Sequence, residues 1–263
     1  MDFIFKECYT TDDLLHIMRL LRAPGGCPWD REQTHGSIRS NMLEEAHEAI
    51  EAIDADDMPA LCEELGDVLM QVVFHACMEE EAGGFTYADV VDGLCHKLIV
   101  RHPHVFGETA VSGTGEVLVN WDRIKRAAKG DKPESDLLAA VPRSLPALMR
   151  AAKVQGRAKR AGFDWPDIAG PLAALDEETR EFKEALRSGE TAAIEDEFGD
   201  VLFSAVNVSR FIDVDAELAL TRATDKFIGR FRTVEQLAAA RGIDMATAGI
   251  ETLDELWALA KKE

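Results

Sequence analysis

Residues 43–53 read LEEAHEAIEAI, a stretch that places Glu44, Glu45, Glu48 and Glu51 within little more than two turns if it is helical. Leu43, Ala46, Ile50 and Ile53 recur at the three- and four-residue spacing that gives a helix one apolar stripe, so the helical reading is the direct one. Residues three and four apart are neighbours on a helix, and each close acidic pair costs roughly 0.2–0.5 kcal/mol unless positive charge lies between them. Either water absorbs that repulsion or a cation does.

The same periodicity extends in both directions. Leu14, Leu15, Met18 and Leu21 mark a helix upstream. Another runs from about Met58 to the Gly83-Gly84 stop, with Leu61, Leu65, Val68, Leu69, Val72 and Val73 as its expected buried side. Thr86, with Asp89 three residues on, has the form of an N-cap for a fourth. The segment RHPHVFGETAVSGT, residues 101–114, is rich in turn formers and reads as irregular. Residues 129–146, KGDKPESDLLAAVPRSLP, carry three prolines and read as a linker between a first domain at 1–128 and a second at 147–263. In the second, helices are expected near 147–161, 171–188, 191–212, 215–241 and 251–262. No alternating strand pattern competes, so the fold class is all-α, built of helical bundles.

Composition narrows the function. With 46% hydrophobic residues in 263, the chain can bury a substantial core. Its 49 acids outnumber 29 basic residues for a net charge of −20, which argues against a nucleic-acid surface. Asp2, Lys6 and Glu7 interrupt the start, and no apolar run reaches the length of a membrane span, so a cytoplasmic protein with no membrane partner is expected. Five cysteines, odd in number and without a CxxC, fit reduced thiols.

The acidic stretch occurs twice. Glu44-Glu45-Ala46-His47-Glu48 is followed by Glu64-Leu65-Gly66-Asp67, and Glu177-Glu178-Thr179-Arg180-Glu181 by Glu197-Phe198-Gly199-Asp200. Sixteen residues separate Glu48 from Glu64 and Glu181 from Glu197 alike. Downstream, Lys97 and Arg101 match Lys226 and Arg230, and Trp121 with Lys125 matches Trp257 with Lys261. At about 100° per residue, Glu45 and Glu48 share one side of their helix, while Glu64 and Asp67 share one side of the next. The acidic stripe on that second helix continues to Gln71, or to Ser204 in the other half, between apolar flanks. Carboxylates at the edge of a core are costly without a partner. Clustered carboxylate oxygens suit Mg²⁺ or Mn²⁺, and Mg²⁺ completes its shell with waters and substrate phosphates, which makes a phosphate ester the natural substrate class. Lys226 and Arg230, one turn apart, can grip a phosphate chain. Glu51, Glu63 and Glu195 read as solvated charge.

The pattern EExxE followed by ExxD, with GCPWD at 26–30, RHPHVFG at 101–107, PRSLPALMRA at 142–151 and GFDWP at 162–166, resembles the MazG family of nucleoside triphosphate pyrophosphohydrolases over nearly the whole chain. The resemblance implies two tandem MazG-like all-α domains and an Mg²⁺-dependent homodimer. It implies hydrolysis of nucleoside triphosphates between the α and β phosphates, with water as nucleophile. By the same resemblance Glu178, Glu181, Glu197 and Asp200 are the catalytic metal ligands of the second half, and Glu45, Glu48, Glu64 and Asp67 correspond in the first. Glu44 and Glu177 belong to the motif without an assigned role. Lys226, Arg230 and Trp257 are similar to nucleotide-contacting positions, Trp257 as a base-stacking ring, with Lys97 and Arg101 their counterparts. Family resemblance favours the second half as the stronger catalytic unit.

Two rivals stand beside this. Glu44 and His47 form an ExxH, the ligand spacing of di-iron carboxylate bundles, but the second half has Arg180 where the second histidine belongs. The other is a non-catalytic scaffold whose acids hold a structural metal. His102-Pro103-His104 and Gly113-Thr114-Gly115 read as loop features.

Overall fold

The structure, a computed structural model, describes residues 3–127 and 133–262. Every regular element among the described residues is helical, as the periodicity predicts. The chain divides into two compact units, Met1–Gly130 and Asp131–Glu263. The expected linker at 129–146 is described only from residue 133, its first four residues lying outside the described ones. It contains a short helix, α8 (Glu134–Ala139), that packs on the helix after it.

The first unit comprises α1 (Thr11–Arg22), α2 (Pro28–Glu32), α3 (Arg39–Asp54), α4 (Met58–Ala82), α5 (Tyr87–Arg101), α6 (Pro103–Phe106) and α7 (Thr114–Ala127). Its frame is the α3–α4 hairpin with α1 laid against α4. Asp57 caps α4 by accepting from the Ala60 amide, and Gly83 ends it in the left-handed region at φ 75°. Thr86 caps α5 reciprocally with Asp89 as the spacing predicts, and those hydrogen bonds hold the Asp89 carboxyl below its usual range. Met18 and Ile38 pack with Val73, Phe74, Cys77 and Met78 in one core, while Arg19 and Arg22 grip Glu80 and Glu81 in paired two-point contacts along its edge.

The second unit comprises α8 with α9 (Ala147–Arg160), α10 (Ala169–Ser188), α11 (Thr191–Phe211), α12 (Ala216–Ala240) and α13 (Ile250–Ala260). Here α10 and α11 form the hairpin that corresponds to α3 and α4. The two hairpin turns match in backbone: Asp56 at φ 55° and Gly189 at φ 75° each lie eight residues after the last motif glutamate. Glycine enables close approach at two other positions, Gly26 in GCPWD and Gly170 just after GFDWP. A Cβ at Gly26 would strike the Leu20 and Leu21 carbonyls, and one at Gly170 would strike the Trp165 indole. Asp164, in the GFDWP stretch, is clamped by Arg210 of α11 at 2.5 and 3.0 Å, which keeps its carboxyl below the ordinary range.

Several expectations need correction. The stripe Leu43, Ile50 and Ile53 is not buried in the unit: these side chains are 48–55% exposed, and α3 turns Ala49 and Ala52 inward instead, because small residues let α4 approach closely. On α4, Val73 is fully buried but Leu65 and Leu69 are exposed; the core lies further along, at Phe74, Ala76, Cys77 and Met78. Residues 101–114 are less irregular than expected. His102 closes α5 through its Nδ1 contact to the Leu98 carbonyl, and Pro103 at the first helical position then starts α6. Thr114 and Gly115 begin α7 rather than a loop. Cys8, Cys27, Cys62, Cys77 and Cys95 are free, and burial pushes the Cys77 thiol upward. No described helix is long and apolar enough to cross a membrane.

Candidate metal centres

The α3–α4 hairpin runs its two helices antiparallel around the tight turn at 55–57, so the acids of EExxE and ExxD meet across it. Carboxylate oxygens of Glu45, Glu48 and Glu64 all come within 4.8 Å of one another. In the second unit α10 and α11 bring Glu178, Glu197 and Asp200 together within the same limit. Partial burial is the main cause that raises the carboxyls of Glu45, Glu64, Glu178 and Glu197 above their usual range, and the charges of neighbouring acids raise them further. Such a set is frustrated as bare protein and suits a hard divalent cation in its donor chemistry. Gln71 adds a further sign. It is buried, its Nε2 donates to Glu45 Oε1 at 3.5 Å, and its own Oε1 has no partner.

The fourth expected acid stands slightly apart in each unit. Asp67 is outside the close trio, though its charge acts on both Glu45 and Glu64. In the second unit it is Glu181 that stands outside, and the cause is visible: Arg180 holds its Oε1 at 3.2 Å and reaches Glu184 at 2.8 Å and Glu177 at 4.0 Å. Glu44 and Glu177 are exposed and belong to neither trio, as are the solvated Glu51, Glu63 and Glu195. His47 is exposed and absent from the first trio, so the ExxH spacing does not assemble a histidine-bearing di-iron site.

The basic and aromatic residues differ between units. On α5, Lys97 is exposed, while the Arg101 guanidinium lies over the Trp121 ring at 5.0 Å with Lys125 Nζ at 4.7 Å from the same ring. On α12, Lys226 is exposed, Arg230 is half-buried, and no described ion pair joins either to an acid. Trp257 is half-buried against Phe227, ring centroids 5.1 Å apart, beside the core of Val234, Ala238, Leu256 and Ala260.

Sequence reasoning passed over one polar group. His35 and His75 stack in parallel with Nδ1 atoms 2.7 Å apart, and His35 Nε2 lies 2.8 Å from Glu79 Oε1. The signal was present: Asp67, Gln71, His75 and Glu79 step along α4 by four, whereas the second unit has Asp200, Ser204, Val208 and Ile212.

An all-α protein with a duplicated helical hairpin, each copy carrying a carboxylate trio suited to a hard divalent cation, is the class that fold and site define. The MazG nucleotide pyrophosphohydrolase domain matches at residues 33–106 and 170–235, one match on each hairpin. The chain is 43% identical over 255 residues to the nucleoside triphosphate pyrophosphohydrolase of Escherichia coli K12, covering 96% of this chain and 97% of that one. It is 46% identical over 250 residues to the nucleoside triphosphate pyrophosphohydrolase/pyrophosphatase MazG of Thermotoga maritima, covering 95% of each. To the nucleoside triphosphate pyrophosphohydrolase of Mycobacterium tuberculosis it is 34% identical over 253 residues, 92% of this chain and 66% of that one. The chain belongs to the MazG family and is an enzyme of the nucleotide pyrophosphohydrolase type.

Proposed function

We propose that the protein hydrolyses nucleoside triphosphates between the α and β phosphates, in the cytoplasm, with Mg²⁺ as cofactor and Mn²⁺ as a substitute. Water adds to the α phosphorus, the bond from that phosphorus to the bridging oxygen breaks, and nucleoside monophosphate and pyrophosphate leave. The observation that carries this reading is the recurrence of the close carboxylate trio at matching places of both hairpins, in a chain whose relatives are named for this activity.

Glu178, Glu197 and Asp200 would hold the cation in the second unit with Glu181 close by, and Glu45, Glu48 and Glu64 with Asp67 would do so in the first. When bound, the cation neutralises the phosphate chain and the charge that develops on departing pyrophosphate. A carboxylate oxygen left outside the cation's shell orients the attacking water and takes its proton. Lys226 and Arg230, spaced one turn apart on α12 and without an ion pair among the described residues, supply contacts to the phosphates. Trp257, half-buried beside Phe227, is the ring assigned to stack on the base.

The second unit is read as the stronger catalyst. In the first, Arg101 is already engaged with Trp121, so the counterpart of Arg230 is less free to meet phosphate. A homodimer is part of the same reading. The outward apolar residues Leu43, Ile50, Ile53, Leu65 and Leu69 on one hairpin, and Leu186, Phe198 and Leu202 on the other, are 38–55% exposed and would be covered by a partner copy. The decisive experiment supplies a panel of triphosphates with Mg²⁺ and separates pyrophosphate from orthophosphate release. Pyrophosphate is expected, with Glu178→Ala losing more activity than Glu45→Ala. No turnover across the panel with either Mg²⁺ or Mn²⁺ would leave the scaffold reading instead.

A further inference from the structure

An open cavity of about 470 Å³ lies in the first unit, between residues of α3, α4 and the start of α5. Its walls are Met42, Val72, Ala76, Phe85 and Val90, and its polar side is His35, His75 and Glu79. Its position follows from helix register. In the antiparallel hairpin, stepping from Glu48 to Glu45 to Met42 on α3 moves the same way as stepping from Glu64 to Gln71 to His75 on α4. The Gln71–Glu45 hydrogen bond fixes that register, so the cavity lies one turn beyond the trio along the same groove. From Gln71, which contacts Glu45, to His75 is four residues, about 6 Å of helix rise.

We propose that this cavity receives the base of a nucleoside triphosphate whose phosphates lie at Glu45, Glu48 and Glu64. The inference rests on the reading of the trio as a phosphate-binding metal centre and extends it to a complete nucleotide site in the first unit. The volume falls within the usual size of small-molecule sites, and apolar walls with a few convergent polar atoms are their usual chemistry. Met42, Phe85 and Val90 are partly exposed and give a planar ring apolar contact on its faces.

The histidine pair supplies the polar readout. Glu79 accepts from His35 Nε2–H, which in a neutral ring leaves His35 Nδ1 as an acceptor. His75 Nδ1–H donates to it, and His75 Nε2 is left with a lone pair for an amino or ring N–H of the base. Burial and the neighbouring His35 lower the His75 pKa and so favour the neutral ring. The pair is held in place from the backbone side. Thr34 and Ser37 exchange hydrogen bonds around His35, and Ile38 is 2% exposed in the core. The polar arrangement is specific to the first unit, since the positions matching His75 and Glu79 are Val208 and Ile212.

The test is calorimetric titration of the full chain carrying Glu178→Gln and Asp200→Asn, which silence the second trio. With Mg²⁺ present, one titrant is an α,β-methylene nucleoside triphosphate and the other is inorganic tripolyphosphate, which has no base. The parent is expected to bind the nucleotide more tightly than tripolyphosphate. Met42→Trp, which fills the cavity from a partly exposed position, and His75→Leu should each weaken the nucleotide about tenfold while moving tripolyphosphate by less than about twofold. Glu45→Gln should weaken both ligands. Equal affinity of the parent for the two ligands, unchanged nucleotide binding in Met42→Trp, or parallel loss of both ligands in that variant overturns the base pocket. A parent that binds neither ligand, or Glu45→Gln binding tripolyphosphate like its parent, overturns the phosphate reading and this proposal with it. If His75→Leu fails to fold, Met42→Trp alone decides.

Discussion

Replacing Glu178 by Gln should stabilise the metal-free protein and at the same time reduce its response to Mg²⁺. Glu178 and Asp200 have carboxylate oxygens within 4.8 Å, and two unit charges at that separation repel by about 1 kcal/mol at the dielectric of bulk water, more in a drier site. Because this cluster is open to solvent, the lower figure applies, and removal of that one repulsion should raise the unfolding temperature of metal-free protein by about 4 °C. The pH dependence has a definite sign. The Glu178 carboxyl is raised in the folded state by burial first and by Asp200 second, so the unfolded chain gives up its proton more readily than the folded one. Its favourable contribution is complete below the ordinary glutamate value near 4.5 and is lost as pH rises through the higher folded value. Metal-free wild type should therefore gain stability on mild acidification from neutral pH, and Glu178→Gln should gain less. With Mg²⁺ the order reverses, since a ligand at 100 times its dissociation constant adds about 2.7 kcal/mol to whichever protein binds it. Scanning calorimetry in EDTA and in Mg²⁺, at pH 7 and pH 5.5, measures all four quantities, and the double variant Glu45→Gln/Glu178→Gln should show no Mg²⁺ response. A Glu178→Gln protein that melts below wild type in EDTA yet keeps the full Mg²⁺ shift would refute the reasoning.

Arg180→Ala should free Glu181 from its 3.2 Å contact and remove a positive charge beside the second trio, so Mn²⁺ affinity followed by electron spin resonance should rise about threefold to tenfold. Asp164→Asn breaks the clamp to Arg210, in which both side chains are 15% exposed, and should cost about 2 kcal/mol in urea unfolding. Because hydrogen bonding from Arg210 lowers the Asp164 carboxyl, that stability exists above the ordinary aspartate value near 3.8 and disappears as pH falls through the folded one. Val73→Ala removes a fully buried side chain from the first core and should cost about 2–3 kcal/mol by the same measurement. If the chain pairs through the exposed stripe of α3 as proposed, Ile50→Glu should leave helix content intact and shift sedimentation toward monomer; a variant that sediments like wild type would refute an interface there.

The hairpins and their acids were legible because one spacing dictates both. The period that makes α3 and α4 helices also puts Glu45 and Glu48 on one side and Glu64 on the facing side, and the trio follows once the turn at 55–57 closes the hairpin. Burial was less legible. A hydrophobic period marks which face is apolar but not which chain covers it, so Leu43, Ile50 and Ile53 read as core although α3 packs on α4 through Ala49 and Ala52. The departure of Glu181 from its trio was also hidden, because it depends on where the long Arg180 side chain settles among Glu177, Glu181 and Glu184. The four-residue step along α4 marks His75 and Glu79, but their contact with His35 joins residues forty positions apart, and no local spacing names that partner.

The two copies have kept the acids and diverged one turn further along. Beyond Gln71 the first unit continues with His75 and Glu79, whereas beyond Ser204 the second continues with Val208 and Ile212. The aromatic partner diverges too: Trp121 lies beside two cations and Trp257 against Phe227. On the proposed function, the cation chemistry rests on the carboxylates that both copies retain, and the basic contacts to phosphate differ between them. Discrimination among bases acts on the part that differs. On the proposed reading, two units with like carboxylate sets and different surroundings would accept different nucleotides, and an assay on one base would undercount the activity of the chain.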